Sequence, residues 1–265
     1  MSQPLVEYQT EQHIATITMN DPKTLNAFST SLKDAMMDAL NKADNDEQVR
    51  VIVLQGAGNN FSSGGHIGEM LENGMEKDAL ADKLNFMVGK VAEISLKLRN
   101  IHKPIIAKLE GAVAGAGMNL ALTCDFRIAA DNAKFIQAFV NIGLIPDAGG
   151  IYLLNQLIGS AKTTELVMLG DKIKAEDMAR LNLVNAVVSA DELDASVNAL
   201  ATRLSNLPGK ALASMKHMIN VHAYRGLNEA LDMEVEQQTM LAKTDDFREG
   251  ITAFMEKRKP VYQGR

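Results

Sequence analysis

The segment from Lys103 to Asp125, KPIIAKLEGAVAGAGMNLALTCD, constrains the fold more than any other stretch of the 265 residues. Ile105 and Ile106 read as a β-branched strand, Gly111 to Gly117 as a turn of small uncharged residues, and an apolar helix follows from about Met118. A turn this small leaves the N–H groups at the helix start bare. They have no intrahelical acceptor, and the helix dipole adds positive potential there. A second loop of the same kind, FSSGGHIG from Phe61 to Gly68, follows a buried strand at Val49 to Gln55. Two such loops facing one another would supply convergent donors for negative charge developing on a carbonyl oxygen.

The rest of the chain sorts by period. Residues 5–19 alternate as two short strands around Glu11-Gln12, and Asp21-Pro22 breaks the pattern. Ser29 or Ser31 can cap a helix running through Leu40. Residues 69–100 read as helical, poorly patterned at the start, with Gly74 and a dense polar mix that predict mobility there. Phe126 to Ala130 and Lys134 to Phe139 read as strands, and a helix at Ile151 to Ile158 follows the Pro146 to Gly150 turn. From Ala161 onward helices dominate, at about 161–169, 175–181, 191–206, 209–222 and 226–243, with one strand near Val184 to Val188. Strands and helices that alternate and then give way to helices predict an α/β core with a helical C-terminal part, divided near residue 200.

Composition excludes several classes. No apolar run reaches the length of a membrane span, and the opening residues lack a basic segment followed by an apolar one, so no secretory signal is expected. A single cysteine rules out an internal disulfide framework and fits a reducing, cytoplasmic setting. The net charge of −6 and the lack of a dense Lys/Arg cluster argue against nucleic acid as a partner. No cluster has metal-ligand spacing, and neither small-residue loop fits a dinucleotide or phosphate-loop pattern.

Four blocks together carry a family likeness. Phe61 to Ile67 resembles the F-[SA]-[SA]-G-[AG]-D-[ILV] loop of the crotonase superfamily, the enoyl-CoA hydratase/isomerase group. Gly111 to Asp125 resembles its G-x-x-x-G-x-G-x-x-L-x-x-x-C-D segment, FVNIGLIPDAGG from Phe139 its next block, and FREGITAFMEKRK from Phe247 its C-terminal signature. The blocks fall in family order over nearly the whole chain. The resemblance implies an α/β fold: a crotonase-like ββα spiral core over residues 1–200 and a helical C-terminal trimerisation region over 201–265, in a homotrimer or a hexamer built as a dimer of trimers. It implies an acyl-CoA thioester substrate with no further cofactor, coenzyme A being part of the substrate.

By position, the resemblance places the two oxyanion donors on the backbone N–H groups of Gly65 and Ala116. The two glutamates that hydratases of this family use fall on Asn119 and Phe139, neither of which exchanges a proton at neutral pH, and the usual Asp of the first loop is His66. Asp147 remains, in AFVNIGLIPDAG, a context similar to that of the ring-1,2-epoxyphenylacetyl-CoA isomerase and enoyl-CoA isomerase subgroup. One acid suffices to move a double bond: it takes a proton at one carbon and returns it at another. The resemblance further implies CoA contacts at Lys23, Leu25, Ser63 and Ile67, and at Lys257 from a neighbouring subunit.

Each residue also has a plainer reading. Asp147 can be a helix N-cap. Gly65 and Ala116 can serve only a tight turn. His66 can be a polar loop residue bonded to backbone, and Asn119 a helix residue with a local hydrogen bond rather than a substrate contact. Lys23 and Lys257 can be solvated surface. Three readings stand: an enoyl-CoA isomerase working through Asp147, a hydratase with a non-standard site, and an acyl-CoA-binding protein without chemistry.

Overall fold

A computed structural model describes residues 3–72 and 74–265; Met1, Ser2 and Asn73 lie outside it, and with Asn73 one position of the expected 69–100 helix. The alternating N-terminal segment forms a hairpin, β1 (Val6–Glu11) and β2 (Ile14–Met19), paired from Val6↔Met19 to Glu11↔Ile14. Gln12 and His13 both have positive φ in its two-residue turn, the geometry that matches the twist of paired strands. Ser29 caps α1 (Thr30–Asn45) by accepting the Leu32 N–H at 3.2 Å. Then come β3 (Val51–Gly56), the single turn α2 (Ile67–Met70) and the long α3 (Lys77–Asn100). The centre of the chain is β4 (Ile105–Leu109), β5 (Ala112–Ala114), α4 (Ala116–Thr123), β6 (Phe126–Ala130) and β7 (Lys134–Ile136). A 3-10 turn over Ala138–Ile142 leads to α5 (Gly150–Leu169), β8 (Lys172–Lys174), α6 (Ala175–Arg180) and β9 (Ala186–Val188). Helices α7 (Leu193–Ser205), α8 (Gly209–Ala223), α9 (Leu227–Leu241) and α10 (Asp245–Met255) complete it.

The strands make a six-stranded sheet in the order β1-β2-β3-β4-β6-β9, parallel apart from the N-terminal hairpin, and a three-stranded sheet β5-β7-β8. Parallel strands covered on both faces read as continuous apolar runs. Successive residues of β3 and β4 serve opposite layers. Val51, Val53 and Ile106 pack under α7 with Leu193, Val197, Ala201 and Leu204, while Ile52, Leu54, Ile105 and Ala107 pack with Leu32, Met36 and Leu40 of α1 and Leu120 of α4. A third apolar cluster joins Leu80, Leu84, Met87 and Val88 of α3 to Phe139, Leu144, Phe247 and Ile251. Residue 200 falls within α7, which packs on the sheet; the chain next leaves helix at Asn206 to Pro208. Among the described residues no helix is long and apolar enough to cross a membrane.

Five details differ from the sequence reading. The small-residue turn contains a strand, β5, because Ser62 pairs with Val113 and gives the chain an edge to bond. The helix after it begins at Ala116 rather than Met118. The strand expected over Lys134 to Phe139 stops at Ile136, and Phe139 lies in the 3-10 turn. The helix expected over 69–100 is two helices, with positive φ at Gly74 between them. The helices expected on either side of Gly159 run into one another, but Gly159 itself is non-helical (φ 74°, ψ 166°), so the break in the pattern is real.

Candidate active site

The two small-residue loops are sewn together by backbone. Ser62 N–H donates to Ala112 O at 2.9 Å, Ala114 N–H to Ser62 O at 2.9 Å, and Gly115 N–H to Ile136 O at 3.0 Å. Gly64 N–H donates to Ser62 Oγ at 3.1 Å, and Gly64 O accepts from Phe28 N–H at 2.7 Å. Gly64 has φ +91°, and a Cβ there would lie 2.8 Å from Ala114 O and 3.5 Å from Ala116 N. Only glycine lets the loops approach so closely. Among the described residues, the N–H groups of Gly65 and Ala116 have no hydrogen-bond acceptor, whereas their neighbours at Ser62, Gly64, Ala114 and Gly115 all do. Gly65 and Ala116 both line one cavity of about 530 Å³.

The cavity wall is mostly apolar. Leu84, Met87, Val88 and Val91 come from α3, Phe28 and Met70 from the segments around α1 and α2, and Phe139 and Leu144 from the 3-10 turn and beyond. Its ionisable lining groups, among the described residues, are Lys33, His66 and Asp147. Asp147 is 8% exposed, and its Oδ1 has no hydrogen-bond partner. Burial pushes its carboxyl up to about 7; the Lys33 charge and the residue's own N–H oppose the shift without cancelling it. The carboxyl therefore titrates near neutral pH. It also does not cap α5, whose cap residue Gly149 has no side chain.

His66 lines the cavity, but its Nδ1 accepts the Glu69 N–H at 2.9 Å and caps α2. Phe139 lines the cavity, one ring edge against Gly115: a Cβ on Gly115 would sit 3.5 Å from it. Asn119, expected against substrate, is fully buried and outside the lining. Its Nδ2 donates to Asp147 O at 2.9 Å and its Oδ1 accepts from Gln137 Nε2 at 2.6 Å, so it holds the Asp147 backbone from behind. Ser63 and Ile67 line the cavity. Lys23 and Leu25 are exposed on either side of Thr24, which lines it, and Ser63 ties the segment down by donating to Thr24 O and Leu25 O. Phe254 and Met255, at the end of the chain's own α10, line the cavity too, and exposed Lys257 follows them. The C-terminal signature thus reaches the chain's own cavity through Phe254 and Met255.

Glu69 is neither in the cavity nor solvated. It is buried and accepts from Thr30 N–H at 2.7 Å, from Thr30 Oγ1 and from Lys83. Burial pushes its carboxyl up, but these partners outweigh it and hold the group below its ordinary range. Cys124 is fully buried, and desolvation pushes its thiol up to about 12, which leaves it inert. No group of three His, Cys, Asp or Glu side chains could hold a metal ion among the described residues.

Three polar residues around the cavity were not singled out from sequence. Lys33 projects from α1 into the lining. Glu234, on α9, accepts the Gly149 N–H at 2.7 Å at the start of α5; desolvation, with Asp147 adding to it, pushes its carboxyl up to about 8. Gln238, one turn on, donates to Ile145 O at 2.6 Å. Their signal was a polar residue within an apolar stripe: Lys33 lies in register with Met36 and Leu40, and Glu234 and Gln238 with Leu227 and Leu231.

The chain is similar to known proteins over nearly its whole length. The family model described as enoyl-CoA hydratase/isomerase matches residues 9–265. The trans-2-decenoyl-[acyl-carrier-protein] isomerase of Streptococcus mutans is 36% identical over 262 residues, 97% of each chain. The 1,2-epoxyphenylacetyl-CoA isomerase of Escherichia coli is 32% identical over 256 residues, 96% of this chain and 97% of that one. A crystal structure of an enoyl-CoA hydratase from Mycobacterium avium subsp. paratuberculosis superposes with a TM-score of 0.88 at 30% identity, covering 98% of both chains. Relatives of this chain thus carry both isomerase and hydratase names. With its paired glycine-rich loops, parallel sheet and helical C-terminus, the chain belongs to the enoyl-CoA hydratase/isomerase family, the crotonase superfamily.

Proposed function

We propose that this protein is an enoyl-CoA isomerase that moves a double bond through an oxyanion-stabilised dienolate, with Asp147 as the single acid/base. In a 3-enoyl thioester, Asp147 takes a proton from C-2, the electron pair spreads over the dienolate, and the same carboxyl delivers a proton to C-4. The thioester oxygen accepts from the N–H groups of Gly65 and Ala116. A donor pair fixed by the surrounding sheet needs no reorganisation as charge develops, and losing one such donor typically costs about 3 kcal/mol.

The observation that carries this reading is the partnerless Oδ1 of Asp147, in an apolar cavity that two free N–H groups also line. A carboxyl titrating near 7 both accepts and returns a proton at neutral pH. Hydration needs a second group to activate water. Phe139 is apolar, Asn119 is turned away from the cavity, and the Nδ1 of His66 is already an acceptor. The apolar wall suits an alkyl or ring acyl group. Ser63 and Ile67 of the cavity lining, with exposed Lys23, Leu25 and Lys257, meet the CoA portion, and the helical C-terminus assembles subunits as a trimer or a dimer of trimers.

The test has two arms. With 3-enoyl-CoA, the ultraviolet absorbance of the conjugated 2-enoyl thioester should rise. With 2-enoyl-CoA, no 3-hydroxyacyl product should form. Rapid hydration of 2-enoyl-CoA that survives Asp147→Asn would overturn the assignment, and tight CoA binding without turnover of either substrate would favour a binding protein.

A further inference from the structure

Lys33 is the cavity's unexplained group. It sits in the first turn of α1, 3% exposed. Its ammonium has three donors, and among the described residues one hydrogen bond is made, to Met87 O at 3.0 Å. An ammonium buried in an apolar wall with donors to spare destabilises the fold unless a negative charge faces it. Glu69 is the nearest fixed carboxylate in electrostatic terms, but its oxygens are taken by Thr30 and Lys83. Lys83 and Lys90 repel Lys33, each from its own ion pair, with Glu69 and Glu72 and with Asp34. The carboxyl sharing the cavity with Lys33 is Asp147. The other polar groups around Asp147 are Glu234 and the cavity-lining Gln238 of α9, Asn119, which bonds its carbonyl, and Gln137, which bonds Asn119, and none of these is a cation.

We propose that Lys33 is the fixed counter-charge of the cavity, a positioning residue that balances the reaction's one negative charge whether it rests on Asp147 or on the thioester oxygen. The inference builds on the isomerase reading. Before the proton moves, the charge is on the Asp147 carboxylate. When the C-2–H bond breaks and the O–H bond forms on Asp147, that charge passes to the dienolate oxygen, and it returns when C-4 is protonated. The cavity remains neutral throughout if one cation stays in place. Without Lys33 it would hold an unpaired buried anion at every stage.

The pH dependence follows. Burial pushes Asp147 up to about 7 and Lys33 down to about 8, and each is opposed by the other's charge. Activity should rise as Asp147 ionises and fall as Lys33 loses its proton, giving a narrow bell. The experiment is the pH profile of kcat for a medium-chain 3-enoyl-CoA with wild type, Lys33→Met and Lys33→Arg. Lys33→Met should move the acid limb up by about one pH unit, a roughly tenfold loss on that limb, and abolish the alkaline limb. Lys33→Arg keeps its charge at all accessible pH, so it should leave the acid limb in place and abolish the alkaline one; this arm stands even if Lys33→Met does not fold. Unmoved limbs in both variants, or an equal loss at every pH, would overturn the proposal. Asp147→Asn in the same assay separates the two readings. If it retains wild-type activity, the isomerase assignment itself fails. If it is inactive while the Lys33 variants keep both limbs, only the counter-charge fails.

Discussion

A carboxyl with an unbonded oxygen weakens the fold that buries it, and Asp147 makes this measurable. Its folded value of about 7 lies above the ordinary 3.8, so the native state holds the proton more tightly than the unfolded chain. Stability then falls as pH rises from about 4 to about 7, by at most about 4 kcal/mol across that window. Asp147→Asn should therefore raise the thermal midpoint at pH 8, leave it nearly unchanged at pH 4, and lower isomerase kcat by roughly 10²–10⁴-fold. Calorimetry at the two pH values and an initial-rate assay check both halves. Glu234 behaves in the same sense: its value of about 8 keeps it protonated at neutral pH. Glu234→Gln should match wild-type stability at pH 6, whereas Glu234→Leu, which strands the Gly149 N–H, should lose about 1–3 kcal/mol in urea unfolding. At this scale a motif was enough to bring Gly65, Ala116 and Asp147 to notice, and the three line one cavity. Lys33 and Glu234 were hidden because a charge within an apolar stripe shows its role only once the facing wall is known.

At the scale of elements, two glycines with positive φ predict opposite outcomes. At Gly64 a Cβ would meet Ala114 O at 2.8 Å, between the two loops that present Gly65 and Ala116. Gly64→Ala should push the loops apart, lowering kcat more than tenfold and destabilising the protein by about 1–3 kcal/mol. At Gly159, within α5, a Cβ would meet nothing within 4 Å, but the backbone conformation favours glycine. Gly159→Ala should lose comparable stability while kcat stays at the wild-type value; rates and unfolding curves on both variants check the contrast. Most elements were legible because their period or caps were local: the hairpin alternates, Ser29 caps α1, and β3 is a run of valine, isoleucine and leucine. Strands β5 and β8 were not: β5 lies within a run of small residues and β8 is a single buried Ile173 between two exposed lysines, so neither carries a strand signal of its own. His66 was legible as a site neighbour, but its capping of α2 depends on a four-residue helix too short to read.

For the whole molecule, the layers explain why one chain can hold a largely apolar cavity. The sheet fixes β4 and β6, the small sheet pins the loop between them, and α3, α9 and α10 close the remaining sides. Met215, Met218 and Ile219 stand exposed on α8, in the region that the family likeness leads one to expect at a subunit contact. Met218→Glu should convert the expected trimer or hexamer to single chains, read by light scattering. The assembly is an expectation of the family likeness alone, because exposed apolar residues do not say which partner, if any, covers a face. The division expected at residue 200 falls within α7, whose apolar face covers the sheet. The central claim is that one carboxyl carries the proton from one carbon to the other. A 3-enoyl-CoA deuterated at C-2, converted in ordinary water within a single turnover, tests it directly by mass spectrometry of the product. The account predicts deuterium at C-4 well above the solvent level; product whose C-4 hydrogen comes wholly from water would contradict it.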